Sequence, residues 1–179
     1  MIELFEILSA MASKKKEVAD QLELYLDIGE RVAKTMAGVF NTQQDEVALL
    51  ILSRDGRHLR FVAPRKLAAL GSIPLSKRDS IAVGVLQKKS PELMNNVPMV
   101  RHVSFFESIK LRDKVVPIQK MVSVPILHDQ KAIGVAQISR KGESAAAAGP
   151  DFTEADVRKA QEIFGDIAPF LSRARPDDY

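Results

Sequence analysis

The chain has 179 residues, of which 46% are hydrophobic and 27% are charged, and its formal net charge is +3 at pH 7. A chain of this length is expected to form one domain that buries about 70% of the surface of its unfolded state. The absence of cysteine excludes disulfides, thiolate metal sites, cysteine nucleophiles and thioether-linked cofactors. Charges of both signs are interspersed, so the composition does not indicate a nucleic-acid-binding surface.

The first 40 residues have the spacing of an amphipathic helix. Between Val18 and Val39 the apolar or small residues recur at alternating intervals of four and three, which is a heptad pattern. The pattern extends back to Leu4, so Met1–Phe40 is expected to form either one long helix or two helices hinged near Ser13. This stripe either packs on its own domain or forms a seam between two copies of the chain. The candidate seam residues are Val18, Leu22, Tyr25, Gly29 and Val32.

We place a boundary at the end of this region. Residues 1–40 are predicted to be an N-terminal helical segment that signals or dimerises, and residues 41–175 a domain that shares the helix of residues 27–40. Within that domain, Glu46–Ser53 is an apolar run typical of a buried strand, and a D-G pair favours a hairpin turn into a second strand, His58–Ala63. A short helix is predicted over Ile81–Lys89, and a short strand begins at Glu92.

The most strand-like stretch is Ile118–Gly142. Two runs rich in Val and Ile flank a short polar break, which predicts a hairpin. Neither run alternates between apolar and polar residues, so both faces of these strands are expected to be covered. Pro125 has no N–H, so its nitrogen should face a sheet edge, a bulge or a ligand, and Gly134 leaves room for the close approach of another group.

The last predicted helix is Asp151–Ala174, with Thr153 as its N-cap. The residues after it, Pro176–Tyr179, are expected to be exposed. The order of elements predicts an α+β fold, an antiparallel sheet of about six strands with long N- and C-terminal helices packed on one face. Apolar residues recur in the last helix at intervals of three and four, so it supplies further candidate dimer-interface residues, Val157, Phe164 and Leu171.

Four segments resemble a GAF domain, a family of small-molecule-sensing and regulatory domains. In order they are EVALLILSRDGRHLRFVA, IPLSKRDSIAVGVLQKKSPELMNN, MVSVPILHDQKAIGVAQISRKG and DFTEADVRKAQEIFGDIAPFL. The resemblance covers roughly Asp27–Leu171. It implies a non-catalytic sensor or regulatory domain that binds a small molecule or a partner protein, and the lack of cysteine fits a cytoplasmic protein. The resemblance also implies a homodimer that signals through its terminal helices. The interspersed charges argue against a nucleic acid as partner, and a membrane is not expected because no apolar run approaches the ~20 residues of a membrane span.

The resemblance also implies where a ligand would bind. In the family, ligands lie between the sheet and the irregular segment before the central hairpin, which by position is Asn95–Pro117 here. Cationic and aromatic side chains in this segment suit a flat, anionic ligand. The alternative is a lid that is packed by its own phenylalanines. The candidate ligand-binding residues are Arg101, His102, Phe105, Phe106 and Lys110.

Departures from the family's subgroups narrow these expectations. Without cysteine the chain cannot carry a covalent bilin or reduce methionine sulfoxide through thiols, and its ligand and cofactor are unknown. The Asn-Lys-Phe-Asp-Glu pentad of the cyclic-nucleotide group is absent. The main alternative is therefore a ligand-free GAF scaffold that acts as a protein–protein interaction module. A small enzyme would require a hidden cluster of carboxylates or histidines, and no spacing of metal ligands is present.

Overall fold

A computed structural model of the protein describes residues 1–14, 20–69, 71–99, 116–177 and 179. The helices are α1 Ile2–Ser13, α2 Gln21–Phe40, α3 Arg65–Ala68, α4 Ile81–Lys88 and α5 Glu154–Ala174. The strands are β1 Val47–Leu52, β2 His58–Ala63, β3 Ser72–Pro74, β4 Glu92–Met94, β5 Ile118–His128 and β6 Lys131–Lys141. Short 3-10 turns, Gln44–Glu46 and Val97–Met99, precede β1 and follow β4.

The six strands form one sheet in the order β3-β2-β1-β6-β5-β4, and every neighbouring pair is antiparallel. The predicted α+β fold is confirmed, and the β5–β6 hairpin lies inside the sheet. β4 pairs with β5 only as far as Ser123, so Pro125 lies beyond β4, where its missing N–H costs no ladder bond. A Cβ atom at Gly134 would clash with the carbonyl oxygen of Leu50, so β1 approaches β6 closely there.

The terminal helices pack on one face of the sheet, as predicted. α1, α2 and α5 enclose a single apolar core against side chains of β1, β2, β5 and β6. Gly29 allows α2 to lie close to β2, because a Cβ atom there would be 2.5 Å from Val62 Cγ1. The small residue in the heptad pattern therefore serves a helix-to-sheet contact.

Most of the candidate dimer-interface residues are used within the chain. Leu22 is 39% exposed, Gly29 is buried against β2, and Val18 lies outside the described residues. The candidates that are buried in the core of their own chain cannot contact a second copy. A dimer formed by these helices must therefore use their other faces. The apolar stripe that covers a sheet has nearly the same spacing as a coiled-coil seam, which is why the pattern suited both. The remaining candidates are only 0–4% exposed, namely Tyr25, Val32, Val157, Phe164 and Leu171.

The N-terminal region follows the two-helix alternative. α1 ends at Ser13 and α2 begins at Gln21, where the side chain of Asp20 accepts a hydrogen bond from the Glu23 amide at 3.0 Å. α1 packs against both α2 and α5, with the Phe5 and Phe170 rings stacked at a centroid distance of 6.1 Å. The first helix thus shares the core of the terminal helices. No helix in the described ranges has the length and hydropathy that a membrane span requires.

The last helix begins as predicted but the chain after it does not. Thr153 caps α5, since its hydroxyl accepts from the Asp156 amide at 3.3 Å and its own amide donates to the Asp156 carboxylate at 2.8 Å. The prediction that the following residues are exposed is wrong for Pro176 and Tyr179, which are buried. The chain turns back toward the sheet there, and the hydroxyl of Tyr179 donates to the carbonyl oxygen of Phe61.

Candidate functional site

The second face of the sheet is apolar at one end and polar near its middle. α3 and α4 cover the apolar part, where side chains of β1, β2, β3 and β6 form a second core. Toward β5 the buried side chains become polar, with Ser123, Gln137 and Ser139 each 0–4% exposed. Ser123 and Gln137 lie directly opposite each other on β5 and β6. The strand pairing therefore brings polar groups together inside an otherwise apolar sheet.

The amide of Gln137 is incompletely hydrogen-bonded. Its Nε2 atom donates to Ser123 Oγ at 3.3 Å and approaches Met121 Sδ at 3.4 Å. Its Oε1 atom is buried and has no hydrogen-bond partner among the described residues. Rotating the amide by 180° would exchange the two atoms and leave the nitrogen unpaired instead. Either orientation leaves a polar group that a water or a ligand would satisfy.

A small cavity of about 20 Å³ adjoins this amide. Its volume suffices for one water, which needs roughly 10–15 Å³ of space. The rim is charged but balanced, because Lys141 Nζ lies 3.3 Å from the Asp45 carboxylate. The hydroxyl of Ser139 is also hydrogen-bonded, since its Oγ donates to the backbone oxygen of Glu46 at 2.9 Å. The cavity is lined by Asp45, Glu46, Ala48, Pro64, Leu67, Ile118, Met121, Gln137, Ser139 and Lys141.

We call the buried side chains of Ser123, Gln137 and Ser139 the polar patch. Its residues are adjacent along β5 and β6 to residues that face the opposite side of the sheet. The neighbours of Gln137 on β6, Ala136 and Ile138, both belong to the core beneath α1, α2 and α5. On β5, Ser123 is flanked by Val122 and Val124, which belong to the same core. The polar side chains therefore alternate along each strand with side chains of the core that supports the terminal helices.

The five candidate ligand-binding residues, Arg101, His102, Phe105, Phe106 and Lys110, lie outside the described residues. The beginning of their segment is described, and Asn95 there hydrogen-bonds to the backbone of Phe152. The buried polar residues of β5 and β6 were missed in the sequence because attention went to the Val and Ile residues of the two runs, which do not alternate with polar ones. The available signal was a serine inside the first run, Ser123, and two polar residues spaced by two inside the second, Gln137 and Ser139, which places that pair on one face of the strand.

Within the described ranges the titratable groups form no metal site. Among the residues that the structure covers, no group of three or more His, Asp or Glu side chains could hold a metal ion. The large pKa shifts belong to tyrosines, and burial is the main cause: it raises the pKa of Tyr179 to about 12 and that of Tyr25 further. These two residues are packed under the terminal helices rather than at the polar patch.

No family model matches the chain, and no curated protein matches it. Solved structures do match. The GAF domain from Acinetobacter phosphoenolpyruvate-protein phosphotransferase is 14% identical, with a TM-score of 0.62 over 96% of this chain and 94% of that chain. Residues 122 to 287 of a methyl-accepting chemotaxis protein are 17% identical, with a TM-score of 0.63 over 92% of this chain and 96% of that chain.

An enzyme is also among the similar structures. Free methionine-R-sulfoxide reductase from Neisseria meningitidis, in complex with its substrate, is 16% identical, with a TM-score of 0.56 over 96% of this chain and 90% of that chain. At identities this low, the structural similarity establishes the fold and leaves the activity open. The six-stranded order, the helices on both faces and these matches agree with the resemblance found in the sequence. This chain has the fold of a GAF domain.

Proposed function

We propose that this protein is a non-catalytic regulatory GAF domain that binds a small polar molecule at the second face of its sheet. The observation that carries the proposal is the buried Oε1 atom of Gln137, which lacks a partner in the described part of the chain. An unpaired buried acceptor costs about 1–3 kcal/mol. A ligand with an N–H or O–H group would recover that cost.

The ligand would lie between the polar patch and the segment before β5. That segment contains the candidate ligand-binding residues Arg101, His102, Phe105, Phe106 and Lys110, whose cations and rings suit a flat anionic molecule. A molecule held there would need both an anionic group for the segment and a hydrogen-bond donor for Gln137.

The output would pass to the terminal helices and to a second copy of the chain. The buried stripes of α2 and α5 are used internally, so we propose that the dimer forms through the outward faces of α1 and α2. Large apolar side chains are exposed there, since Ile2 is 78% and Leu22 is 39% exposed. Their burial between two copies would be favourable, at about 25 cal/mol per Å² of apolar surface.

The first experiment is native mass spectrometry of the purified full chain and of Gln137→Met. We expect a dimer that carries a small molecule in the wild type and a dimer with little of it in the variant. Gln119→Met is the matched control, because the side-chain amide of Gln119 already donates to the Gly142 carbonyl oxygen at 2.8 Å. Its substitution should therefore not affect the bound molecule. Equal retention of the molecule by both variants would refute the role of Gln137.

The dimer is tested separately by sedimentation. Ile2→Arg and Leu22→Arg should shift the chain toward monomer, whereas Leu127→Arg should not. Leu127 is similarly exposed, at 36%, but it lies at the end of β5. A monomeric wild type at micromolar concentration would remove the dimer from the proposal.

A ligand-free interaction module is the second candidate function. It is favoured by the small size of the described cavity, about 20 Å³, since ligand pockets usually have about 300–1,000 Å³. A dimer without any bound small molecule in the mass spectrum would support this alternative. Thiol-based reduction is not available to either candidate, because the chain has no cysteine.

A further inference from the structure

Tyr179 is packed at the junction of α5 and the β1–β2 hairpin. The residue is only 5% exposed although it follows the last helix. Its side chain and backbone contact groups from three different parts of the chain. We call this site the tyrosine socket, and it consists of Tyr25, Arg54, Arg60, Phe61 and Arg175.

The socket provides hydrogen-bond partners for the side-chain hydroxyl and for the backbone oxygen of Tyr179. The hydroxyl donates to the backbone oxygen of Phe61 at 2.5 Å. The backbone oxygen of Tyr179 accepts from the Arg54 amide at 3.1 Å and from Arg175 Nη2 at 3.0 Å. A phenylalanine would lose the first contact, so the socket distinguishes tyrosine from phenylalanine.

The socket also fits the aromatic ring itself. The Arg60 guanidinium lies 4.1 Å from the centroid of the Tyr179 ring, in cation–π geometry. On another side the Tyr25 ring meets it edge-on, with a centroid distance of 5.5 Å and an interplanar angle of 72°. Aliphatic side chains would make neither contact, so the ring faces contribute to selection as well.

An acidic residue two positions earlier is recognised by the same site. Arg54 Nη2 lies 3.1 Å from the Asp177 carboxylate. Both side chains are more than half exposed, so this ion pair adds selectivity more than affinity. Arg54 thus contacts Asp177 through its side chain and Tyr179 through its amide, which sets the spacing between the acidic and the aromatic residue.

We propose that the tyrosine socket is a recognition site for a peptide segment with the pattern Asp-x-Tyr, which the chain's own Asp177 and Tyr179 occupy. An external segment of the same pattern would bind there when Tyr179 is out of the socket. A cavity of about 500 Å³ beside the socket provides room for the approach of such a segment. The proposal is independent of the ligand site on the second face of the sheet.

The test uses the full chain with Tyr179→Ala and tyrosine labelled with ¹³C. The chain has two tyrosines, so Tyr25 becomes the only labelled residue, and its ring signal reports on the socket. The probe is the N-acetylated pentapeptide Arg-Pro-Asp-Asp-Tyr. We expect a saturable shift of the Tyr25 signal toward its position in the wild type. A peptide that ends in phenylalanine should bind about five- to tenfold more weakly, the loss typical of one hydrogen bond.

Two controls keep the result specific. The wild-type chain should respond only at peptide concentrations about tenfold higher or more, because a short connection gives its own Tyr179 a millimolar effective concentration. A peptide with alanine in place of the first aspartate should bind more weakly, since Arg54 then lacks its partner. The proposal is overturned if the Tyr25 signal does not move, or if the three peptides bind equally well.

A second variant covers the case in which Tyr179→Ala does not fold. Tyr179→Phe keeps the ring and loses only the bond to the Phe61 carbonyl oxygen. The pentapeptide should displace this weaker occupant at a lower concentration than it displaces the native tyrosine. Equal displacement in the variant and the wild type would also overturn the proposal.

Discussion

Asn95 holds both backbone polar groups of Phe152. Its Nδ2 atom donates to the Phe152 carbonyl oxygen at 2.9 Å, and its Oδ1 atom accepts from the Phe152 amide at 2.9 Å. The ring of Phe152 is buried beneath the Arg140 guanidinium, 4.4 Å from its centroid. One side chain thus connects the end of β4 to the residue just before the N-cap of α5. Because the candidate ligand-binding segment begins at Asn95, this pair links that segment to the last helix.

We expect Asn95→Ala to lower the free energy of unfolding by about 1–3 kcal/mol, because it removes two hydrogen bonds and leaves partly buried backbone groups unpaired. Amide exchange at Phe152 and in the first turn of α5 should accelerate. Chemical denaturation and hydrogen exchange measure the two effects. Asn96→Ala is the control, since Asn96 is exposed. A similar loss in both variants would show that the Asn95 bonds do not stabilise this junction.

Two glycines of α2 should respond to alanine in opposite directions. At Gly29 a Cβ atom would meet Val62 Cγ1 at 2.5 Å and the Val62 carbonyl oxygen at 2.9 Å, so overpacking should cost about 1–3 kcal/mol. At Gly38 a Cβ atom would have no neighbour within 4 Å, and Gly38→Ala should stabilise by about 0.5–1 kcal/mol through helix propensity. Urea denaturation of both variants checks the pair. Stabilisation by Gly29→Ala would contradict the close approach of α2 to β2.

The two tyrosines should also differ on substitution by phenylalanine. The hydroxyl of Tyr25 is buried and has no hydrogen-bond partner among the described residues, so Tyr25→Phe should be neutral or stabilise by up to about 2 kcal/mol. Tyr179→Phe removes the bond to the Phe61 carbonyl oxygen and should destabilise by about 1 kcal/mol. Thermal and urea unfolding of the two variants provide the comparison. Destabilisation by Tyr25→Phe would indicate that its hydroxyl has a partner after all.

The free energy of unfolding should fall at high pH because Tyr25 and Tyr179 are buried in the folded state. Burial raises the pKa of Tyr179 to about 12, and it raises the pKa of Tyr25 further, whereas an unfolded tyrosine ionises near about pH 10. The folded state therefore binds these protons more tightly. Their contribution is complete below about pH 10 and is lost above it, by up to about 1.4 kcal/mol per pH unit for each tyrosine.

Urea denaturation between about pH 8 and 12 measures this slope, and Tyr25→Phe should reduce it. Absorbance of the tyrosinate form provides an independent measurement. Ionisation of both tyrosines of the folded chain at about pH 10 would contradict the burial of their hydroxyl groups.

The sequence by itself determined the elements whose causes are local. The β5–β6 hairpin was predictable because two strand-forming runs flank a short polar break, and the start of α5 because Thr153 and Asp156 have the spacing of a cap. The antiparallel order followed from the short connections, and the four family-like segments indicated the same fold. Antiparallel strands with short turns leave few alternative arrangements.

Only the tertiary structure decided which surface each residue faces. The spacing of Tyr25 and Val32 suited a dimer seam and a sheet-covering stripe equally well. In the structure both side chains are buried in the core between the helices and the sheet. The hydrogen bond from the Gln137 side-chain amide to Ser123 depends on the register of β5 against β6, which places the two residues opposite each other. The burial of Tyr179 depends on Arg60 and Phe61, more than a hundred residues earlier in the chain. Contacts between residues so distant in sequence leave no periodic signal, because periodicity reports only on neighbours within one helix or strand.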